Sequence, residues 1–198
     1  MVGKSFHPLV AVLALLMILA FPSPFASAEG EEDSQEPTTY LMIGDRRFVG
    51  MQTTVTADPN VFWLDQVGAG SDLYFQYQEL VENCDRDTVI VYNLGVNDLN
   101  AQQAITALNA LSSLGFRHVW FSTLGPVNEE IGASYGYTIT NEQIIQFNEQ
   151  VAANVPANVG VVDSFYYLWY NGFNTLDGIH YDGPTYSSWY RYLMSSVF

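Results

Sequence analysis

The sequence predicts an α/β domain whose parallel sheet is covered by helices on both faces. Three observations carry this. From Thr39 onward, short apolar runs alternate with segments of helical period. The run Thr88-Val89-Ile90-Val91-Tyr92 is β-branched and apolar on both faces, as a buried parallel strand requires. Strand–helix–strand order also implies right-handed crossovers and hence parallel neighbours.

The elements follow in order. Tyr40 to Ile43 is a short apolar strand ending at Gly44, and Val61 to Val67 is a weaker strand. Asp72 caps a helix running to Glu82, with Leu73, Gln76, Tyr77 and Leu80 at helical spacing. After the Thr88–Tyr92 strand, Asn100 caps a helix through Leu114 that Gly115 closes. Val119 to Phe121 is the next strand, and Thr140 or Asn141 caps a helix to Ala153. Val159 to Val162 is the last strand, before Asp163. A final helix starts at Gly183-Pro184 and ends near Met194.

Composition narrows the function classes. The 198 residues suggest one domain with a tail, and 48% hydrophobic residues suffice for a core. The net charge is −15 and Lys4 is the only lysine. Such a body lacks the basic footprint that nucleic acid or an anionic membrane surface demands. Cys84 stands alone, which excludes an intramolecular disulfide and a cysteine-based zinc site. Beyond the signal described next, only His118 and His180 are available as imidazole ligands, and no carboxylate cluster has metal-loop spacing. We expect neither metal nor cofactor.

The N-terminus reads as an export signal over residues 1–28. Lys4 and His7 make a basic start, and Leu9 to Phe21 is apolar for thirteen residues. That run is shorter than the ~20 residues a membrane span needs. Ala26-Ser27-Ala28 supplies the small-x-small cleavage pattern, with cleavage expected after Ala28. The expected product is extracellular, without stable membrane insertion. Residues 29–38 read as an acidic disordered linker, and residues 39–198 as the domain.

In parallel α/β sheets function sits beyond the carboxyl ends of the strands. Four blocks occupy those ends: Gly44-Asp45-Arg46-Arg47-Phe48-Val49-Gly50-Met51, Gly68-Ala69-Gly70-Ser71, Gly95-Val96-Asn97-Asp98 and Asp177-Gly178-Ile179-His180. In this order and spacing they resemble the SGNH, or GDSL-like, hydrolase family of secreted esterases and acetylhydrolases. The resemblance covers the chain from about Thr39 to its end. It implies a three-layer α/β/α sandwich with a parallel sheet of about five strands, flavodoxin-like in order. It further implies that His180 is the general base and Asp177 its orienting acid. Gly70, with Gly68 as the fallback, and the Asn97 amide would line an oxyanion hole. The chemistry is sensible in itself, because a hydroxyl becomes nucleophilic when an imidazole takes its proton and a carboxylate fixes the tautomer.

The block departs from the family at the nucleophile, where Arg46 stands in place of serine. A guanidinium stays protonated and cannot accept an acyl group. Pointing inward, it would sit beside His180, pair with Asp177 and fill the acyl pocket. Gly132-Ala133-Ser134-Tyr135-Gly136 matches a G-x-S-x-G pattern, but no strand immediately precedes it, as that motif requires. Asp45 is expected to hold its turn, Asp98 to brace its loop, and His118 to be an ordinary half-buried histidine. The aromatic run from Phe165 to Phe173 reads equally as core packing or as a sugar-stacking wall.

Two functions follow as expectations. One is a secreted esterase or carbohydrate O-acetyl hydrolase homologue, inactive or very weak, whose partner is an acylated small molecule or polysaccharide. The other is a non-catalytic binding module in which Arg46, Asn97 and Gly70 hold an anionic or carbohydrate ligand.

Overall fold

A computed structural model describes residues 38–197. The export-signal reading of 1–28 and nearly all of the acidic linker lie outside the described residues. Five strands form one sheet in the order β2-β1-β3-β4-β5: β1 (Tyr40–Gly44), β2 (Val61–Asp65), β3 (Val89–Asn93), β4 (His118–Ser122) and β5 (Val159–Val162). Every pairing is parallel. The fold is the expected three-layer α/β/α sandwich.

Side chains alternate across the sheet, as a period of two dictates. Leu41, Ile43, Ile90, Tyr92, Val119 and Phe121 bury against one helical layer. That layer contains α4 (Ala101–Ser113) and α6 (Asn141–Ala152). Met42, Val89 and Val91 bury against the other, with Phe48 and Met51 of α1 (Arg46–Thr54) and Trp189 and Leu193 of α8 (Gly183–Ser196). Both α4 and α6 start where side-chain chemistry predicts. Asn100 accepts from the Gln103 amide, and Thr140 forms a reciprocal capping box with Gln143.

Several expectations need correction. The second strand ends at Asp65, two residues early, because the chain turns away at Gln66 to form the next block. The single helix from Asp72 to Glu82 is two short ones, α2 (Leu73–Gln76) and α3 (Gln78–Glu82). They part at Tyr77, whose φ of −121° and ψ of 20° leave the helical region. Residues 128–136, read as loop, contain α5 (Glu129–Ser134), with Asn128 accepting from the Ile131 amide. The aromatic run holds α7 (Ser164–Asn171), capped by Asp163.

Parallel pairing sends all five strands out at the same edge, and every candidate block lies beyond it. Chain 123–128, between β4 and α5, is clamped there by buried amides. Asn93 Nδ2 donates to the Ser122 and Thr123 carbonyls at 2.9 and 3.1 Å. Asn148 of α6 accepts from the Leu124 amide at 2.8 Å and donates to its carbonyl at 2.9 Å. Asn148→Ala leaves both Leu124 groups buried without partners, so it should cost about 2–4 kcal/mol in a urea unfolding titration. A loss under 0.5 kcal/mol would show that this clamp is dispensable.

Candidate active site

Asp45 follows β1 directly and is the N-cap of α1, its Oδ1 accepting from the Arg47 amide at 2.8 Å. Residue 46 is therefore the first residue of the helix, standing at the sheet edge. Its backbone N–H heads α1 and has no bond to the chain among the described residues. This third potential oxyanion donor was not visible in the sequence, because it exists only if a helix starts here. The Arg46 side chain is exposed, and among the described residues no ion pair joins it to Asp177. No Arg46–Asp177 pair therefore plugs the site.

Its neighbour behaves in the opposite way. Arg47 is fully buried, its Nη1 donating to the Gly125 carbonyl at 3.0 Å, with Nε 3.9 Å from Asp45 Oδ1. Asp45 Oδ2 and Arg47 Nε and Nη2 are buried without a hydrogen-bond partner. Burial raises the Asp45 carboxyl above its ordinary range, against the opposing pull of the Arg47 charge and amide bond. Arg47 is the residue that sequence reasoning passed over. Its only signal was an arginine among Phe48, Val49 and Met51.

The second and third blocks interlock. Asn97 Nδ2 donates to the Ala69 carbonyl at 2.7 Å, beside Gly70. Asp98 accepts from the Ser71 amide at 2.8 Å and from its hydroxyl at 3.0 Å. A side chain at Gly70 would run into the Asp98 carboxylate, so glycine is required for this close approach. The fallback Gly68 lies in an open turn with φ of 77°, where an added Cβ would meet nothing within 4 Å. Asn97 is exposed, and the amide hydrogen not spent on Ala69 remains for a ligand. Asp98 braces its loop.

The fourth block sits on a hairpin closed by the Thr175–Tyr181 bridge and by the Leu176 amide donating to the His180 carbonyl at 2.7 Å. His180 Nδ1 lies 2.6 Å from Asp177 Oδ2, while Asp177 Oδ1 accepts from the His180 and Ile179 amides at 2.9 and 3.1 Å. Burial works to raise the Asp177 carboxyl, but these bonds and the His180 charge outweigh it and hold it below its usual range. An ionised Asp177 on Nδ1 leaves Nε2 to take a proton. Tyr181, next in sequence, donates to the Pro126 carbonyl at 2.7 Å, and burial pushes its phenol up to about 12. His180 and Asp98 both act electrostatically on the buried Asp45 carboxyl.

Other candidates fall outside. Ser134 ends α5 and donates to the Ile131 carbonyl at 2.6 Å, with no imidazole bonded to it. His118 opens β4, at the edge away from the site. Among the described residues, no group of three or more His, Cys, Asp or Glu side chains is arranged to hold a metal. No helix there is long and apolar enough to cross a membrane.

Two predictions test this electrostatic arrangement. Arg47→Ala should cost about 3–5 kcal/mol by leaving Asp45 buried and uncompensated. With its carboxyl already raised, Asp45 binds a proton more readily folded than unfolded. The Arg47→Ala protein should therefore lose further stability as pH rises from 4 to 7, seen as a falling urea midpoint. Asp65, at the end of β2, has its carboxyl raised to about 6, chiefly by burial, with Asp45 adding repulsion. Between pH 4 and 6 the folded state binds more protons there, so stability falls as pH rises through that window. Asp65→Asn should stabilise by on the order of 1 kcal/mol at pH 7, after discounting for solvent screening, and by nothing at pH 4. A stability difference independent of pH would refute this assignment.

No protein-family model and no curated protein matches the sequence. Solved structures do match. A lipolytic G-D-S-L family protein from Veillonella parvula superposes with a TM-score of 0.63 at 13% identity, over 80% of this chain and 97% of that one. A GDSL-like lipase from Bacteroides thetaiotaomicron gives 0.61 at 16%, over 80% and 87%. The acetyl xylan esterase AlAXEase gives 0.60 at 18%, over 81% and 100%. With the sheet order and the four blocks at its carboxyl edge, this likeness means that the chain has the fold of the SGNH, or GDSL-like, hydrolases.

Proposed function

We propose that this chain is a secreted homologue of SGNH esterases and carbohydrate O-acetyl hydrolases that does not hydrolyse esters as it stands. The observation that carries the proposal is the place of residue 46, first in α1 after the Asp45 cap, where a guanidinium stands instead of a hydroxyl. The rest of the machinery supports an ester-cleaving ancestry. His180 and Asp177 form a 2.6 Å pair, and the Gly70 N–H, the Asn97 amide and the Arg46 N–H supply donors for an oxyanion. The acetyl xylan esterase among the structural neighbours supports an acylated carbohydrate as the ligand class. The N-terminal signal pattern supports export.

With serine at position 46, the chemistry is complete in outline. The hydroxyl attacks the ester carbonyl while His180 Nε2 takes its proton, and Asp177 stabilises the imidazolium. The oxyanion gathers the three donors, and the alcohol leaves with the proton from His180. Water then repeats the sequence on the acyl-enzyme.

One observation favours a second reading. The Arg46 guanidinium is exposed and makes no ion pair among the described residues, so it is available to a carboxylate or sulfate beside Gly70 and Asn97. The net charge of −15 opposes strong anion binding, which ranks this reading second.

A chromogenic acetate ester and acetylated sugars discriminate. The unchanged protein should show no rate above background, and Arg46→Ser should raise it by about 10³-fold or more. Adding His180→Ala to Arg46→Ser should abolish the gain, and adding Asn97→Ala should lower it by about 10²-fold. If the unchanged protein hydrolyses these esters and Ser134→Ala stops it, the nucleophile lies elsewhere. If a folded Arg46→Ser variant stays silent on every substrate, the binding reading replaces this one.

A further inference from the structure

Next to the His180 hairpin lies an open cleft of about 520 Å³, lined by Val127, Asn128, Glu129, Asn141, Trp169 and Phe173. The size suits a small ligand. Its two walls differ in chemistry. On one, Trp169 of α7 is 48% exposed although it is among the largest apolar side chains. Its indole is held in place, stacked on the buried Phe165 ring at 5.8 Å and 11° and flanked by Phe173 at 6.5 Å.

The rest of the lining is polar and also held in place. Glu129 is exposed, yet its Oε1 accepts from the Asn141 amide at 2.7 Å and from Asn141 Nδ2 at 3.0 Å. Its Oε2 keeps no bond within the described residues. Asn128 spends Oδ1 on the Ile131 amide at 3.0 Å, which leaves Nδ2 unbonded there. The cleft lining therefore combines a fixed aromatic ring with a fixed acceptor and an adjacent donor. A pyranose has the matching surfaces. Its axial C–H face is apolar, and its equatorial hydroxyls both donate and accept. The acidic body repels anions, and a single aromatic wall is not the cage a quaternary ammonium needs.

We propose that this cleft is a subsite for one neutral pyranose unit of an oligosaccharide, with Trp169 under the ring and Glu129 and Asn128 on its hydroxyls. The Asn128 amide donates to the Gly178 carbonyl at 2.8 Å, and Gly178 lies between Asp177 and His180. A sugar in the cleft is thus adjacent to the Asp177–His180 block, within reach of a neighbouring unit or an acyl-bearing hydroxyl. The proposal rests on the esterase reading only for that acyl group, because sugar binding needs no nucleophile.

Calorimetric titration of the protein as it stands, Arg46 included, tests this with xylotetraose, cellotetraose and chitotetraose, and with choline as the cationic control. Saturable binding of at least one sugar is expected. Trp169→Ala should weaken it by roughly tenfold or more, Trp169→Tyr should keep most of it, and Glu129→Gln should weaken it several-fold. Glu129→Gln is a surface change, and it decides the matter if Trp169→Ala fails to fold by circular dichroism. The proposal is overturned by no saturation with any of the three sugars, by saturation with choline alone, or by an affinity that neither Glu129→Gln nor any folded Trp169 variant moves. Hydrolysis of the chromogenic acetate by Arg46→Ser reports separately on the esterase reading, since that substrate carries no sugar.

Discussion

The stretch 123–128 is the constraint on which the site depends. It runs inside the molecule and most of its residues are buried, yet it belongs to no strand or helix. Most of its polar backbone groups therefore find partners among side chains. Asn93 reaches it from β3, Asn148 from α6, Arg47 from α1, Tyr181 from the C-terminal hairpin and Asn141 from the start of α6. These residues come from four separate parts of the chain, and two of them adjoin a candidate block. Arg47 follows residue 46, and Tyr181 follows His180. Satisfying one buried loop thus fixes the first and fourth blocks relative to each other, although no direct hydrogen bond joins them.

The same economy explains how an arginine at residue 46 fits the fold. Position 46 is the exposed first residue of a helix, and its side chain is part of neither core cluster. A cation at a helix N-terminus is unfavourable, by about 0.3–1 kcal/mol at an exposed site, which is small beside a domain's total stability. The contrast with residue 47 is sharp. There the guanidinium is buried, answers a buried carboxylate and bonds the Gly125 carbonyl. Two adjacent arginines so stand in unlike surroundings, one exposed at the helix start and the other buried in the architecture.

Much of the architecture was legible because its signals are local. The buried β-branched run of β3, the Asn100 and Thr140 caps and the Gly115 stop are read from a few neighbouring residues. The elements that were missed are short or lack helical patterning. Helix α1 opens with two arginines, α5 has six residues in a Gly-rich stretch, and the aromatics of α7 hide its period. In the site, Asp177 and His180 were legible because they are three residues apart on one turn. The Asn97 bond to Ala69 and the Arg47 bond to Gly125 span 28 and 78 residues, distances over which sequence pattern carries no geometric information.

The division of labour in the site follows from where its donors reside. Gly70 and Arg46 would contribute backbone N–H groups, which do not depend on side-chain identity at 46 but only on the turns that present them. Those turns are held by Asp98 on Ser71 and by Asp45 on the Arg47 amide, both indifferent to what stands at 46. His180 is held by Asp177 and by its own hairpin, again without reference to that residue. Polar preorganisation of this kind is costly to build, because each buried group must find a partner. None of these holding bonds involves the Arg46 side chain. A site whose scaffold and nucleophile are physically independent can lose the second without relaxing the first, and that independence makes a single substitution at residue 46 a meaningful probe of the whole arrangement.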